Sequence, residues 1–278
     1  MRLLIFGLGY TAARIASAAR ASEFTVAATT RDGRDDTIRF DDAGRVSAEL
    51  TRATHILSSV PPDGDADPVL ADYRDQLARS RAWLGYLSST GVYGDAGGAW
   101  VDETAPTGTG RRSARARADA AWLDLGARVF RLPGIYGPGR SPVDRLRKGK
   151  AHLVDAPGQV FSRVHVDDIA SGVVAAFDAS AGAYNLADDR PCSQNEVILY
   201  AARLLGLPPP RPVSIESLSP MARGFYAENR RVVNAKAKRV LGWTPRYPDY
   251  RLGLRAVSAT ISPTPVNAAP PAVSSDQR

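Results

Sequence analysis

Short apolar runs alternate with segments of helical periodicity over the first 133 residues. The runs predict β-strands at residues 2–7, 24–30, 36–40, 53–60, 82–88 and 127–132. The segments between them carry apolar residues at three- and four-residue spacings, which predict helices at about 10–21, 45–51, 67–81 and 111–125. Strands that alternate with helices pair in parallel through right-handed crossovers. The pattern therefore predicts an α/β fold with a doubly wound parallel sheet.

The elements become less regular after Pro133, where glycines and prolines interrupt the chain in the stretch GIYGPGRSP. A further strand is predicted at 160–165. It is followed by a helix from about Ile169, which either Asp167 or Asp168 can cap.

Two more helices are predicted before the chain loses its periodicity. The first opens with Ser193 and Glu196, which have capping-box spacing, and the last runs from about Asn234 to Gly242. The residues from about 258 onward are mostly Ser, Thr, Pro, Ala and Val without a pattern. We therefore expect a Rossmann-type core at 1–133, a mixed region at 134–257 that completes the sheet and forms a smaller substrate-binding lobe, and a disordered tail at 258–278.

The composition is that of an ordinary globular protein, with 44% hydrophobic and 23% charged residues. No apolar stretch approaches the roughly 20 residues that span a bilayer, and the N-terminus lacks the order of segments of a signal peptide. We therefore expect a cytoplasmic protein that does not bind a membrane. Cys192 is the only cysteine, which excludes an intrachain disulfide and a cysteine-based metal cluster, and no metal is predicted.

The formal net charge of +7 raises the question of an acidic partner. The basic residues are spread along the whole chain, and the one dense run, RRSARARAD at 111–119, has the alternating alanines of a helix face. We therefore predict no nucleic-acid partner and expect a small-molecule substrate. A monomer and a homodimer both remain open.

The first predicted strand runs directly into the sequence GLGYTA at residues 7–12, which has the form GxGxxA and is followed by a helical pattern. In this position Gly7 takes a tight turn, Gly9 lets a pyrophosphate approach the backbone, and Ala12 lets the helix pack closely on the strand. Tyr10 and Thr11 open the helix, whose free amides face the anion. The turn predicts a dinucleotide-binding site.

The end of the second strand indicates which dinucleotide binds. An acidic residue there accepts the ribose 2′-hydroxyl of NAD, whereas an arginine accommodates the 2′-phosphate of NADP. Arg31 occupies this position and Thr30 adds a hydroxyl donor, although Asp32 follows at once. We therefore predict NADP as the cofactor, with NAD as the alternative.

Four later stretches carry a family resemblance together with the N-terminal turn. They are LSSTGVYGD at 87–95, FRLPGIYGPGR at 130–140 with RVHVDDIA at 163–170, and VLGWTP at 240–245. In this order they resemble the extended short-chain dehydrogenases/reductases, the NAD(P)-dependent epimerase/dehydratase group. The residues are most similar to those of an atypical branch of that group. The resemblance runs from the first strand to about Leu254.

The resemblance implies roles for residues at the strand ends. The serine four residues before the tyrosine of VYG hydrogen-bonds the reacting oxygen of the substrate in that family, and counting back from Tyr93 gives Ser89. A hydroxyl at the carboxyl end of a parallel strand also lies where open α/β sheets bind ligands. The alternative is a serine that bonds only its own loop. By position, Ser59, Val60, Pro61 and Pro133 are expected to line the cofactor.

The chain departs from the family at the tyrosine–lysine pair that normally transfers the proton and holds the nicotinamide ribose. Aligning Asp119 with the acidic residue that usually follows puts Arg111 at the tyrosine position and Arg115 at the lysine position. Arg115 can still hold a ribose hydroxyl, but a guanidinium stays protonated and cannot donate a proton. Tyr93 and Tyr136 are the phenols that could replace the missing acid, unless both only pack.

Two functions remain open from the sequence. The first is an oxidoreductase or epimerase/dehydratase-like enzyme, with Ser89, Tyr93 and Arg115 as candidate catalytic residues. Its unidentified substrate is anionic or a sugar nucleotide if the basic residues at 140–150 and 230–231 contact it. The alternative is a non-catalytic NADP-binding sensor or regulatory protein that kept the fold and lost the acid.

Overall fold

A seven-stranded parallel sheet forms the centre of the protein. The computed structural model describes residues 1–111 and 113–261. The sheet has the order β11-β7-β5-β4-β1-β2-β3. Its strands are β1 (Arg2–Phe6), β2 (Thr25–Thr30), β3 (Ile38–Arg39), β4 (His55–Ser58), β5 (Trp83–Ser89), β7 (Arg128–Leu132) and β11 (Gly182–Asn185). The doubly wound α/β sheet predicted from the periodicity is confirmed.

Helices cover both faces of this sheet because successive residues of a strand point to opposite sides. Leu3 and Ile5 of β1 pack on one face, with α1 and α6, whereas Leu4 and Phe6 pack on the other, with α2, α3 and α4. These helices are α1 (Tyr10–Ala21), α2 (Ala43–Arg52), α3 (Pro68–Arg79), α4 (Ser113–Asp124) and α6 (Val166–Ala175).

A second, smaller core lies beside the carboxyl ends of the strands and is formed by residues of α5, α7 and α10 together with Tyr136 and Cys192. We call this part of the molecule the small lobe. Its helices are α5 (Pro142–Arg147), α7 (Gln194–Leu204), α8 (Pro220–Tyr226) and α10 (Tyr250–Ile261), while α9 (Ala235–Leu241) packs near β11.

Three short parallel strand pairs connect the small lobe to the sheet. They are β8 (Gly134–Tyr136) with β10 (Arg163–His165), β9 (Leu153–Val154) with β12 (Pro212–Val213), and β6 (Trp100–Val101) with β13 (Arg231–Val232). In the last pair Arg231 lies opposite Trp100, so this pair joins two segments that are 131 positions apart in sequence.

Two predictions about helix ends were wrong. The helix expected to begin near Ile169 begins at Val166, and the cap is His165, whose Nδ1 accepts from Asp167 N at 3.2 Å. The Asp168 carboxylate instead accepts from Arg246 N and Tyr247 N, at 2.6 and 3.1 Å. Asp168 therefore anchors the chain that leads to α10, although burial raises the pKa of its carboxyl to about 6.

The helix near Asn234 is not the last one, because α10 follows and extends to Ile261. It covers the first residues of the stretch predicted as a tail, and the remainder of that stretch lies outside the described residues. No helix in the described part of the chain has the length and apolarity needed to cross a bilayer.

Candidate functional site

A cavity of about 1020 Å³ opens between the carboxyl ends of the parallel strands and the small lobe. Four strand ends contribute to its wall: Thr11 follows β1, Ser59 follows β4, Ser89 ends β5, and Pro133 follows β7. Pro61 and Arg115 line the same cavity. The fold therefore brings together residues that the sequence places more than 100 positions apart, at the edge where open α/β sheets bind ligands.

The β1–α1 turn has the geometry of an anion-binding site. Gly7 has a φ of +83°, and a Cβ there would lie 3.0 Å from Val60 Cγ2, so a side chain is excluded by both conformation and space. Gly9 caps α1 in an extended conformation, and a Cβ on it would meet nothing within 4 Å. Ala12 is fully buried between helix and sheet. The open space at Gly9, before the free amides of α1, fits a pyrophosphate.

Two predicted cofactor residues also shape the turn from its sides. Val60 packs against Gly7 and supports the turn from below. Tyr10 donates a hydrogen bond from its hydroxyl to Pro138 O at 3.1 Å, and the guanidinium of Arg140 lies 5.8 Å from its ring centroid. Tyr10 therefore ties the turn to the loop after β8, which forms part of the cavity wall.

The end of β2 presents an arginine to solvent. Arg31 is exposed and has no ion-pair partner among the described residues, while the Asp32 carboxylate is paired with Arg34, with Nη1 and Oδ1 3.1 Å apart. An acidic side chain that is already neutralised competes poorly for a ribose hydroxyl. The arrangement therefore suits a 2′-phosphate better than a 2′-hydroxyl.

The Thr30 hydroxyl, which is predicted to donate to the cofactor, already has partners within the protein. Its Oγ1 accepts from Gly33 N at 2.9 Å and lies 2.6 Å from Thr37 Oγ1. Because the Thr37 hydroxyl donates to Arg34 O at 2.5 Å, the shared proton between the two threonines comes from Thr30. The Thr30 hydroxyl is thus used within the loop between β2 and β3.

Ser89 is the last residue of β5 and lines the cavity. Its Oγ accepts a hydrogen bond from Gly91 N at 3.1 Å, which caps the 3-10 turn Thr90–Tyr93. A hydroxyl is one donor and two acceptor sites, so this bond leaves the proton free. Ser89 therefore bonds its own loop and can still donate to a ligand oxygen in the cavity.

The two arginines of the expected tyrosine–lysine pair are both held in place. Arg115 Nη1 donates to Tyr86 Oη at 2.8 Å and to Leu87 O at 3.3 Å, next to Ser89 on β5. Arg111 lies at the cavity wall, where its backbone N donates to Glu228 Oε1 at 3.0 Å. Its guanidinium faces Glu228 Oε2 at 3.7 Å and the ring of Phe225.

Tyr93, which is predicted as a candidate catalytic residue, does not line the cavity in this structure. Its hydroxyl donates to Asn185 Oδ1 at 2.8 Å and accepts from Arg131 Nη1 at 3.1 Å. The side chain is 4% exposed, and burial raises the pKa of the phenol. The 3-10 turn after Ser89 directs the ring into the core beneath the cavity rather than into it.

Tyr136 lines the cavity with its ring, but its hydroxyl is buried without a hydrogen-bond partner and lies against Gly253 of α10. Burial raises the pKa of this phenol as well. Burial also lowers the pKa of His165 to about 4, so that the imidazole that caps α6 is neutral at pH 7. None of these three groups offers a proton beside Ser89.

Sequence reasoning missed two charged groups near the site. Glu228, which is 8% exposed, joins Arg111 to Arg230, whose Nη1 lies 3.1 Å from Glu228 Oε2. Behind β5, Arg131 and Asp119 form a buried ion pair. An arginine inside the apolar strand VFRL was the available signal for this pair, whereas nothing in the sequence around Glu228 indicates its partners.

Comparisons with known proteins add the following. No protein-family model matches the chain. A structure from Silicibacter pomeroyi DSS, described as a functionally unknown conserved protein, is 42% identical, with a TM-score of 0.81 over 93% of this chain and 98% of that one. The human epimerase family protein SDR39U1 (isoform 2), solved with NADPH, is 15% identical, with a TM-score of 0.75 over 93% of this chain and 99% of that one. The second likeness concerns the fold.

A curated relative carries the name of an activity. The 3-diazoavenalumate denitrifying reductase of Streptomyces sp is 31% identical over 198 residues, which are 66% of this chain and 65% of the relative. The match thus spans less than two thirds of that protein's length.

Proposed function

Since the chain belongs to the family of the Silicibacter pomeroyi protein and has the fold of the NAD(P)-dependent epimerase/dehydratase group, we propose that it is an NADPH-dependent reductase of small molecules. The observation that carries the proposal is the position of Ser89, which lines the same cavity as Thr11 in the first turn of α1 and whose hydroxyl, among the described residues, accepts only the Gly91 amide. The name of the Streptomyces relative favours a reductase over a non-catalytic sensor.

The cofactor is proposed from the open space at Gly9 and the unpaired Arg31. The backbone amides at the start of α1 bind the pyrophosphate, and Arg31 binds the 2′-phosphate. Ser59, Pro61 and Pro133 border the path from that turn to Ser89. When bound, the dihydronicotinamide supplies a hydride to the substrate.

Ser89 and Arg115 have separate roles at the reacting end. The Ser89 hydroxyl donates to the substrate atom that receives the electron pair as the hydride adds, which is oxyanion-type stabilisation. Arg115 remains protonated and, fixed by Tyr86 and Leu87, can hold a ribose hydroxyl. The final proton comes from solvent, because Tyr93 and Tyr136 keep their hydroxyls outside the reaction space.

Reduction fits this set of residues better than epimerisation or dehydration. Those reactions require a side chain that removes and returns protons on the substrate, which the family assigns to the tyrosine where this chain has Arg111. A reduction requires only that an electrophile be held and polarised, and its product can take a proton from water. Reductive loss of nitrogen from a diazonium group requires no proton at all. The hydride forms the new C–H bond, and the departing N₂ carries the electron pair of the broken C–N bond.

The test is NADPH oxidation by the full chain against a panel of aldehydes, ketones and aryl diazonium compounds, each with and without a carboxylate. We expect turnover with at least one class. Deuterium from C4-labelled NADPH should appear in the product. Tight NADPH binding with no oxidation by any compound would instead support the sensor.

Replacing Arg31 by alanine should weaken NADPH binding about 10- to 100-fold, the worth of a charge-assisted hydrogen bond to a phosphate. NADH affinity should not change, because NADH lacks the 2′-phosphate. Titration calorimetry measures both affinities. Arg79→Ala, an equally exposed arginine at the far end of α3, is the matched control. Equal affinities of the wild type for NADPH and NADH would contradict the assignment.

A further inference from the structure

We propose that Arg163 forms a carboxylate-binding subsite in the small-lobe wall of the cavity. This subsite would hold the anionic group of a substrate with an aromatic or extended apolar body. This inference depends on the proposed reductase function in one respect, because that function identifies the bound molecule as the substrate.

Arg163 is buried, yet it has no counter-ion. It lines the cavity and is 6% exposed. Its Nη1 donates to Cys192 Sγ at 2.9 Å and its Nη2 to Cys192 O at 3.3 Å, so two of the five guanidinium N–H groups are used and three are left. Over residues 1–111 and 113–261 no carboxylate oxygen lies within 4.0 Å of it, whereas buried Arg131 has Asp119 at 2.7 Å. A buried charge of this kind is costly unless an anion compensates it.

Asp188 is a candidate counter-ion for Arg163, but its carboxyl is itself buried. Burial raises the pKa of the Asp188 carboxyl to about 8, although the charge of Arg163 acts in the opposite direction. Burial therefore favours the protonated, uncharged form of the Asp188 carboxyl. Its Oδ1 accepts from Arg190 N at 3.2 Å, while Oδ2 has no partner. Among residues 1–111 and 113–261, the Arg163 guanidinium thus has no ion-pair partner within 4.0 Å, and the residue lines the cavity.

The surroundings indicate which anion fits. A planar guanidinium matches the fork geometry of both carboxylates and phosphates, and a single guanidinium balances the one negative charge of a carboxylate in full. The guanidinium lies 5.8 Å from the ring centroid of Tyr250. Further apolar side chains on the same wall are Val197, Leu218 and Leu254. A carboxylate on an aromatic body satisfies the charge and the apolar wall together.

Three exposed basic side chains that line the cavity also attract such an anionic molecule. Arg145, Lys148 and Lys150 line the cavity and are exposed. The one acidic side chain of α5, Asp144, is occupied by Ser141, whose backbone N and hydroxyl both donate to its Oδ2. Exposed charges of one sign raise the local concentration of an anion without fixing its orientation. Orientation is left to the buried Arg163.

The test measures binding of cinnamate, its neutral isostere cinnamamide, and phenyl phosphate to the full chain by titration calorimetry, with and without NADP⁺. We expect cinnamate to bind more tightly than cinnamamide. Arg163→Gln should weaken cinnamate about 10- to 100-fold and leave cinnamamide unchanged. Arg147→Gln is the matched control, because Arg147 belongs to α5 but does not line the cavity.

Several results would overturn the subsite. They are absence of detectable cinnamate binding to the wild type, equal binding of cinnamate and cinnamamide, and unchanged cinnamate affinity in folded Arg163→Gln. Tighter, Arg163-dependent binding of phenyl phosphate would replace the carboxylate by a phosphate. If Arg163→Gln does not fold, Arg163→Lys keeps the charge and loses the planar fork, and a measurable loss of cinnamate affinity is expected there.

Binding is measured without turnover, so the two proposals fail separately. A protein that binds cinnamate through Arg163 but oxidises NADPH with no compound would refute the reductase and leave the subsite intact. Turnover of a carboxylate substrate with the same KM in wild type and Arg163→Gln would refute the subsite and leave the reductase intact.

Discussion

Ser89→Ala is expected to lower the rate of NADPH-dependent reduction about 10²- to 10³-fold, the usual effect of removing one oxyanion donor. The Ser89 hydroxyl is the group at the end of β5 that has a free proton and faces the cavity. NADPH affinity should remain that of the wild type, because the proposed contact is with the substrate. The rate is followed by NADPH absorbance and the affinity by calorimetry.

Two further variants separate this role from a structural one. Ser89→Thr keeps the hydroxyl and should retain much of the activity that the alanine variant loses. Tyr93→Phe should remain active, since the Tyr93 hydroxyl bonds Asn185 and Arg131 beneath the cavity. A reversal, with active Ser89→Ala and inactive Tyr93→Phe, would show that the tyrosine reaches the substrate in a conformation other than the one described.

The phosphate-binding turn could be predicted from the sequence because its determinants are local. Gly7 has a positive φ, Gly9 leaves open space, and Ala12 packs between helix and sheet, all within six residues of one strand end. Ser89 was assigned through the family resemblance, and its place at the end of a predicted strand supported that assignment. A β-strand ends where its apolar run ends, and strands in one parallel sheet end at one edge.

Partners that are distant in sequence were not predictable. Arg111 is held by Glu228, which is 117 positions away, and Tyr93 by Asn185, 92 positions away. Local patterns place a tyrosine after a strand, but they do not say whether its ring turns into the cavity or into the core. The partner of Thr30 was not predicted either, because its hydroxyl is used by Thr37, seven positions away across the loop between β2 and β3.

Helix α10 was not predicted from the sequence, because a packing requirement at the cavity wall interrupts its local pattern. Tyr250, Leu254 and Val257 are buried at helical spacing, but Gly253 interrupts the segment with a poor helix former. A Cβ on Gly253 would overlap the hydroxyl of Tyr136, so the glycine is required by the close approach of the cavity wall. Propensity argued against a helix that tertiary packing requires.

Arg131→Met is expected to destabilise the protein by about 3–5 kcal/mol, because it leaves the Asp119 carboxylate buried without a cation. Asp119 is 1% exposed and accepts from Arg131 Nε at 3.1 Å and Nη2 at 2.7 Å. Its Oδ2 also accepts from the hydroxyl of Ser88, which lines the cavity. The free energy of unfolding is measured by urea denaturation.

The double variant Arg131→Met with Asp119→Leu provides the control. It removes both charges and fills the space with apolar groups, so it should be much closer to wild-type stability than Arg131→Met alone. Similar losses in the single and double variants would mean that the cost comes from packing rather than from an unpaired charge. Because Arg131 also donates to Tyr93 Oη, NADPH binding by the double variant further tests whether this buried network positions the end of β5. If the double variant binds NADPH normally but has a reduced rate of NADPH oxidation, the buried network acts on Ser89 rather than on the cofactor.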